Sequence, residues 1–160
     1  MGRENYSYLV CSRRRGNLPE ASVFVKDMLQ LLGSFSETET RDELLEIIQY
    51  GIAEEWAGVI LATLGRSLVG FLSFNIFSNT RTADVGFAAV HTNHWMKGIW
   101  TYMSLLVEQE ARSMGAKKIR RHISFEDEFL ADHLERNGYK PESRDGNWKT
   151  DPLVKRLNRK

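Results

Sequence analysis

The residues that could most clearly bind a ligand lie at a strand-to-helix junction. There a strand-like run, "ADVGFAAV" (83–90), leads through "HTNHWMK" into the strongest helix pattern of the chain. Such a junction leaves backbone N–H groups unbonded at the positive end of a helix dipole, and this arrangement suits a phosphate or pyrophosphate. Gly98 would let the backbone approach the anion closely. Because every strand-to-helix junction shares these properties, a plain helix start remains the alternative interpretation.

Two other patterns could indicate chemistry but lack the partners that it needs. His91 and His94 are three residues apart, and no third or fourth ligand of a suitable type is near them, so a metal site is not predicted. Ser67 in "GRSLVG" lacks the Gly-x-Ser-x-Gly frame of a nucleophile elbow. Neither pattern adds a candidate reaction.

The composition predicts one globular domain over residues 1–160. The chain has 160 residues, 42% hydrophobic and 27% charged, and its formal net charge of +1 gives no bulk attraction to nucleic acid. The single cysteine, Cys11, excludes an intrachain disulfide and is expected to pack. No apolar stretch approaches the roughly 20 residues of a membrane span, and the N-terminus does not resemble an export signal. We therefore expect a cytoplasmic protein with no membrane partner.

Hydrophobic spacing predicts an α+β protein with the element order β-α-α-β-β-β-α-β-α-β. Short turns between the second, third and fourth strands favour an antiparallel meander. The predicted strands are 6–10, 56–64, 67–77, 83–90, 117–125 and a last one within 145–154, and the predicted helices are 18–32, 36–51 with Thr40 as its N-cap, 98–115 and 127–138.

Two segments, "ADVGFAAVHTNHWMKGIW" and "DEFLADHLERNGY", resemble the most recognisable parts of the GNAT acetyltransferase superfamily. Gly98 matches the first glycine of that family's Gln/Arg-x-x-Gly-x-Gly/Ala loop. Gly138-Tyr139 matches the Gly-Phe pair that follows its later helix. Trp95 replaces the usual Gln or Arg, and Trp100 replaces the second small residue.

The resemblance covers about residues 56–141 and implies a fold and a co-substrate. The implied fold is a GNAT-like mixed, mostly antiparallel sheet of about six to seven strands, flanked by about four helices, whose fourth and fifth strands splay apart to leave a cleft for pantetheine. The implied co-substrate is acetyl-CoA, whose pyrophosphate the loop would wrap. The implied coenzyme-binding residues are Ala89, Val90, Trp95, Met96, Lys97, Gly98, Ile99, Trp100, Thr101 and Asp127, the last standing where the family often has an Asn.

The side chains of Trp95 and Trp100 are expected to be core or rim aromatics rather than coenzyme ligands. The indole of Trp100 must turn into the protein or away from the phosphates, because its bulk would otherwise block the close approach that a small residue permits. The main-chain N–H groups that hold a pyrophosphate are supplied by any residue.

Acetyl transfer to an amine, the activity that the resemblance implies, needs a neutral amine and a stabilised oxyanion. A free alkyl amine has a pKa of about 10.4, so a group on the protein must remove a proton at neutral pH. Asp84 is the candidate base, acting through a water, because it matches the catalytic Glu of histone-acetylating members; a solvated or salt-bridged carboxylate is the alternative. A main-chain N–H near Ala89 or Val90, at an expected bulge, would meet the oxyanion.

The leaving thiolate has no obvious proton donor in the sequence. Leu134 stands where many family members have a Tyr suited to that role. Thiols ionise near a pKa of about 8.5, so a thiolate can leave without a dedicated acid. Tyr102 or His133 could assist, although Tyr102 lies in the core pattern of its helix and His133 could be a surface residue. The candidate catalytic residues are therefore Asp84, Tyr102 and His133.

The first functional hypothesis is an acetyl-CoA-dependent N-acetyltransferase that acts on a primary amine by direct attack in a ternary complex. The acceptor, a small molecule or a protein, is not identified, and a homodimer is left open. Arg13, Arg14, the predicted second helix and the loop around Asn79 are expected to shape the acceptor side, as the corresponding regions do in the family.

Two further hypotheses remain open. Trp95, Trp100 and Leu134 together are consistent with a catalytically weak or inactive GNAT-fold binding or interaction protein. The basic clusters "RRRG", "KKIRR" and "KRLNRK" are usually solvated faces or ends, but they can bind the coenzyme's 3′-phosphate, an acidic substrate or nucleic acid. A nucleic-acid-associated module is therefore the third hypothesis, and nucleic acid is the less expected partner.

Overall fold

The fold is seen in a computed structural model of the protein, which describes residues 5–12, 14–32, 42, 55–121, 128–143 and 152–157. The described elements are β1 (Tyr6–Ser12), a 3-10 helix (Leu18–Phe24), α1 (Val25–Leu32), β2 (Glu55–Leu64), β3 (Ser67–Phe77), β4 (Thr82–Val90), a 3-10 turn (Thr92–His94), α2 (Ile99–Ser113), β5 (Lys118–Arg121), α3 (Glu128–Arg136), β6 (Lys140–Pro141) and β7 (Leu153–Arg156).

The seven strands form one sheet in the order β1-β2-β3-β4-β5-β7-β6. Every neighbouring pair is antiparallel except β4 and β5, which run parallel. The parallel pair is connected through α2, as a crossover between parallel strands requires. The predicted mixed, mostly antiparallel α+β sheet is confirmed. The predicted second helix, 36–51, lies outside the described residues apart from Asp42.

The sheet separates two hydrophobic cores. One core lies under α2 and α3, where Met103 and Val107 of α2 and Leu134 of α3 pack on Val85 of β4 and other strand residues. The other core lies under the 3-10 helix and α1. Cys11 belongs to this second core, and burial raises the pKa of its thiol to about 11, so it packs as predicted.

The long elements follow the predicted bounds closely. β3 spans the predicted residues 67–77, and a two-residue turn, Gly65 and Arg66, joins it to β2 with Gly65 at φ +62°. The predicted first helix, 18–32, is helical throughout, although its first seven residues form a 3-10 helix. Gly115, at φ +82°, follows the end of α2 as predicted.

Two features of the C-terminal part differ from the sequence prediction. β6 was not predicted, because a two-residue strand that contains Pro141 has no periodic pattern and exists only through its pairing with β7. The last strand lies at Leu153–Arg156 rather than earlier within 145–154. None of the described helices is long and apolar enough to cross a membrane.

Candidate active site

β4 is paired with β5 over only the first half of its length. Their parallel register runs from Thr82 opposite Lys118 to Val85 opposite Arg121, where β5 ends. β4 continues for five more residues to Val90, and over 86–90 its β5-facing edge has no strand partner among the described residues. The sequence resemblance placed a cleft between the fourth and fifth strands, and this edge is where one can form.

A bulge interrupts β4 at the point where β5 ends. The register with β3 passes from Phe74–Val85 to Leu72–Ala88, so Gly86 and Phe87 together lie opposite one residue, Ser73. The Ser73 hydroxyl accepts a hydrogen bond from the Phe87 N–H at 2.8 Å. A Cβ on Gly86 would lie 2.9 Å from the Ser73 Oγ, which explains a glycine there. The prediction of a bulge at Ala89 or Val90 is therefore wrong by about three residues.

The bulge decides which main-chain amides face the open edge. Alternate residues of an antiparallel strand direct their N–H and C=O groups to opposite edges. The His91 N–H donates to the Val69 carbonyl at 2.8 Å, so the amide of Ala89, two residues earlier, also faces β3. The amides of Ala88 and Val90 then face the open edge. Of the two predicted oxyanion donors, Ala89 and Val90, only Val90 has its N–H directed to the open edge. The Ala88 N–H has the same direction, and the sequence could not indicate this because the direction depends on strand register.

The loop after β4 is held by side chains. The Trp95 Nε1–H donates to the Val90 carbonyl at 2.8 Å, while the Trp95 side chain remains 54% exposed. The His94 Nδ1 is 2.8 Å from the Tyr6 hydroxyl of β1. The His91 Nδ1 accepts from the Asn93 N–H at 3.1 Å. These bonds fix the loop on both β1 and β4, and Trp95 is a rim aromatic as the sequence led us to expect.

The N-terminus of α2 is uncapped. Gly98 occupies the N-cap position with φ +83° and no side-chain cap, and the first intrahelical bond runs from the Tyr102 N–H to the Gly98 carbonyl at 3.0 Å. The N–H groups of Ile99, Trp100 and Thr101 therefore have no acceptor within the helix, and its first turn carries no acidic residue. The electrostatics of this turn favour an anion.

Two left-handed residues shape the approach to that helix. Met96 has φ +63° and Gly98 has φ +83°. A Cβ on Gly98 would meet no atom within 4 Å, so the backbone dihedral rather than crowding favours glycine there, and the space above it is open. A non-glycine residue at positive φ costs about 1–3 kcal/mol, and the loop carries this cost at Met96.

A cavity of about 350 Å³ opens between this loop and α3. It has the concave, mixed polar and apolar character of a small-molecule site. The loop and the first turn of α2 form one wall and α3 forms the other. The lining residues are His94, Trp95, Met96, Gly98, Ile99, Trp100, Thr101, Leu130, Asp132, His133 and Arg136.

The cavity thus brings together most of the loop residues that the sequence predicted. Lys97 lies between Met96 and Gly98, which both line the cavity. Trp100 is half-buried; it packs against the core under α2 and also lines the cavity. Its main chain remains part of the helix N-terminus. Asp127 and Arg13 lie outside the described residues.

The three predicted catalytic residues occupy different places. His133 lines the cavity, and burial, followed by the positive charges of Arg121 and Arg136, lowers its pKa, which favours the neutral imidazole. Tyr102 is 48% exposed, its ring lies 4.3 Å from that of Tyr8, and it does not line the cavity. The core position predicted for Tyr102 is wrong, because the helix turns this residue toward β1 rather than the sheet centre.

Asp84 lies on the opposite face of the sheet from the cavity. Its neighbours in β4, Ala83 and Val85, belong to the core under α2 and α3, so the Asp84 side chain points to the α1 side. The Arg120 Nε lies 4.0 Å from the Asp84 Oδ1. The salt-bridged carboxylate that the sequence left as an alternative is therefore present. Asp84 is nevertheless two residues before the bulge at which β4 and β5 part.

A charged cluster that sequence reasoning missed lies between α2 and β7. Glu108 of α2 is only 4% exposed and accepts hydrogen bonds from the Lys155 Nζ at 3.1 Å and the Tyr139 hydroxyl at 3.3 Å. Burial raises the pKa of Tyr139 to about 12. The Arg121 Nη2 donates to the Ser104 hydroxyl at 2.8 Å. Tyr139 is therefore a structural link between α2 and β7, and only its place next to Gly138 was visible in the sequence.

Comparison with known proteins identifies the family. The profile of the Acetyltransferase (GNAT) family matches residues 25–139, which is more than half of the chain. None of the curated proteins matches the sequence.

Solved structures resemble the fold at low sequence identity. A GNAT-family acetyltransferase from Desulfovibrio desulfuricans has a TM-score of 0.70 at 19% identity, with 94% of this chain and 98% of that chain covered. Ard1 from Thermoplasma volcanium has a TM-score of 0.72 at 12% identity, covering 96% and 99%. PaiA N-acetyltransferase from Thermoplasma acidophilum, in complex with coenzyme A, has a TM-score of 0.63 at 16% identity, covering 94% and 99%. At these identities the likeness establishes the fold.

Proposed function

The chain belongs to the Acetyltransferase (GNAT) family, and on that premise we propose that it is an N-acetyltransferase that uses acetyl-CoA as co-substrate. The observation that carries the proposal is the uncapped N-terminus of α2 opening onto the cavity between α2 and α3. The solved structure of PaiA N-acetyltransferase, which holds coenzyme A, supports the choice of ligand.

The residues at the α2 N-terminus fit a pyrophosphate. The N–H groups of Ile99, Trp100 and Thr101 supply donors without side-chain chemistry, and the helix dipole adds a partial positive charge. Gly98 leaves open space above the turn, and Trp100 packs partly against the core while it also lines the cavity. Any residue supplies the main-chain N–H donor, so the replacement of the family's second small residue by Trp100 keeps these donors.

Trp95 takes a positioning role in this proposal. Its indole N–H holds the carbonyl of Val90, the last residue of β4, and the N–H of Val90 lies on the same edge of the strand. The family's Gln or Arg at this place is thus replaced by a residue that links the loop to the end of the cleft. Trp95 orients Val90 and does not itself take part in the reaction.

Bound acetyl-CoA supplies an acetyl thioester, at whose carbonyl carbon the acceptor nitrogen forms a C–N bond while the C–S bond breaks and the sulfur leaves as thiolate. The chain's task is to stabilise the negative charge on the carbonyl oxygen and to remove one proton from the amine. The amides of Ala88 and Val90, which face the open edge of β4, are the donors for that oxygen.

Asp84 is the proposed base. It lies on the α1 face near the bulge, so it would receive the amine proton through a water from the side opposite the coenzyme. Arg120, with its Nε 4.0 Å from the Asp84 Oδ1, lies at ion-pair distance from this carboxylate. On the coenzyme side, His133 and Thr101 line the cavity, and either can hydrogen-bond the departing sulfur or a water beside it.

Calorimetry with coenzyme A, followed by a thiol-release assay with acetyl-CoA and a panel of amines, tests the proposal. We expect micromolar binding and amine-dependent release of thiol. Binding without turnover toward any amine would favour the interaction protein that the sequence left open. No binding at millimolar coenzyme would refute the proposal.

A further inference from the structure

The side chains of the basic segment "KKIRR" (117–121) do not form one cluster, because strand geometry places them on both faces of the sheet. Successive side chains of a strand point to opposite faces. Ile119 belongs to the core under α2 and α3, and Arg121 bonds Ser104 of α2, so both face the coenzyme side. Lys118 and Arg120 therefore face the opposite side, together with Asp84.

Two further cations join them on that side. In the sheet register, Lys118 pairs with Arg156 of β7, and Arg120 pairs with Val154, which in turn pairs with Lys140 of β6. The α1-side surface of β5, β7 and β6 therefore presents four cations in two adjacent rows. We call this set the cationic face; its members are Lys118, Arg120, Lys140 and Arg156.

The charges of the cationic face are only partly balanced. Glu142 bonds the Arg120 Nη2 at 2.7 Å and lies 3.9 Å from the Lys118 Nζ. Asp84 contacts Arg120. No carboxylate among the described residues lies within ion-pair distance of Lys140 or Arg156, and both are exposed. The surplus of positive charge is thus concentrated at the β7–β6 end of the sheet.

This surplus lines a concavity. A cavity of about 530 Å³ lies against β5, β6 and β7, and its wall includes Lys118, Lys140, Glu142 and Arg156. It is separate from the cavity of the coenzyme side, whose walls are the loop and α3. A cationic hollow one to three strands away from the proposed base suits an anionic part of the acceptor molecule.

The distance along the sheet indicates the size of that acceptor. β4, β5, β7 and β6 are consecutive neighbours, so Lys140 lies three strand spacings from Asp84, or roughly 14 Å at about 4.8 Å per spacing. An extended peptide advances about 3.3–3.6 Å per residue. An acidic side chain about four residues from the acceptor amine would therefore lie over the cationic face.

We infer that the acceptor is an amine on an acidic peptide segment, with the acidic residues about three to five positions from the acetylated nitrogen. This inference rests on the proposed function, because it takes Asp84 to mark the reacting end. A small amine would not reach from Asp84 to Lys140. A nucleic acid fits less well, since Glu142 and Asp84 lie within the same surface and would repel a continuous phosphate backbone.

The test compares three peptides that differ only at the fourth position from a single acceptor amine, which holds Glu, Gln or Lys. We expect kcat/KM for the Glu peptide to exceed that for the Gln peptide by about tenfold, with the Lys peptide lowest, because Lys140 and Arg156 have no carboxylate partner among the described residues and exposed ion pairs are each modest. Raising the ionic strength should reduce the preference. Moving the Glu next to the amine should also reduce it.

The double variant Lys140→Gln/Arg156→Gln should bring the Glu-to-Gln ratio close to one. Because both kcat/KM values in this ratio are measured on the same variant, a loss of active protein through partial unfolding cancels. Arg66→Gln, at the exposed turn between β2 and β3, is the matched control and should keep the wild-type ratio.

The outcomes separate this inference from the proposed function. Equal rates for the three peptides, or a preference for Lys, would overturn the acidic acceptor while leaving the acetyltransferase intact. Absence of coenzyme binding would refute the function itself. Displacement of a bound Glu peptide by single-stranded RNA, but not by polyglutamate of similar charge, would overturn the inference in favour of a nucleic-acid surface.

Discussion

The two faces of the sheet around β4 differ in the kind of group on which the proposed function depends. On the face of α2 and α3, the proposed anion site consists of main-chain N–H groups at an uncapped helix start, and these donors do not depend on side chains such as those of Trp95 and Trp100. On the α1 face, the groups that the two proposals invoke are side chains, namely Asp84 and the cationic face. A main-chain site tolerates substitution, whereas a side-chain site depends on each residue type.

Removing the carboxylate of Asp84 should have the largest effect. Asp84→Asn is expected to lower kcat by about 100-fold or more, the usual contribution of a general base, while the dissociation constant of coenzyme A stays unchanged. Steady-state kinetics and calorimetry on the same preparation measure both quantities. Unchanged turnover across the pH range would remove Asp84 from its role and break the division between the two faces.

Changing the turn glycine should affect the coenzyme side alone. Gly98→Ala forces a Cβ into a left-handed conformation that costs about 1–2 kcal/mol, and we expect about tenfold weaker coenzyme binding. Gly65→Ala is the matched control, since Gly65 also has positive φ and open space around it but lies in the β2–β3 turn. Both variants should lose similar stability in urea, and equal coenzyme affinity in the two would contradict the main-chain anion site.

A smaller effect is expected from the link between the loop and β4. Trp95→Phe keeps an aromatic ring but removes the donor to the Val90 carbonyl. A neutral hydrogen bond is worth about 0.5–1.5 kcal/mol, so kcat/KM should fall about three- to tenfold. Trp95→Leu, which removes ring and donor together, serves as the comparison. If only the Leu variant loses activity, the indole acts through packing and not through Val90.

The smallest expected effect is a pH dependence of stability. The pKa of His133 is lowered from its usual 6.5, so the unfolded chain binds its proton more readily, and the stability associated with His133 is lost as pH falls below about 6.5. Urea midpoints measured between pH 7.5 and pH 5 should fall less in His133→Gln than in the parent. Parallel pH profiles of the urea midpoint for the two proteins would show that burial of His133 does not contribute to the pH dependence of stability.

Regular patterns made much of the fold predictable. The bounds of β3, the apolar stripe of α2 and the glycines that follow α2 and α3 could be read from the sequence, because periodic hydrophobic spacing and chain-terminating residues are local signals. The loop with Gly98 was recognised instead through its resemblance to the GNAT family's loop, because the residues alone left a plain helix start as the alternative. β6 carried no such signal, since two residues have no period.

The features that were missed depend on contacts between distant segments. The bulge opposite Ser73, the exposure of Tyr102 and the burial of Glu108 beside Lys155 each involve residues far apart in the chain. No window of sequence contains both partners of such a contact. The orientation of the Ala88 amide likewise follows from the register with β3 and not from alanine itself.

The sequence by itself determined most of the long elements and that a helix with a free N-terminus follows β4, because propensity, periodicity and backbone freedom are properties of short segments. Only the tertiary structure decided that Trp100 packs against the core under α2, that Trp95 holds Val90, and that Lys118, Arg120, Lys140 and Arg156 share one face with Asp84. The physical reason is that strand register and sheet order, which bring these groups together, are set by the packing of the whole core.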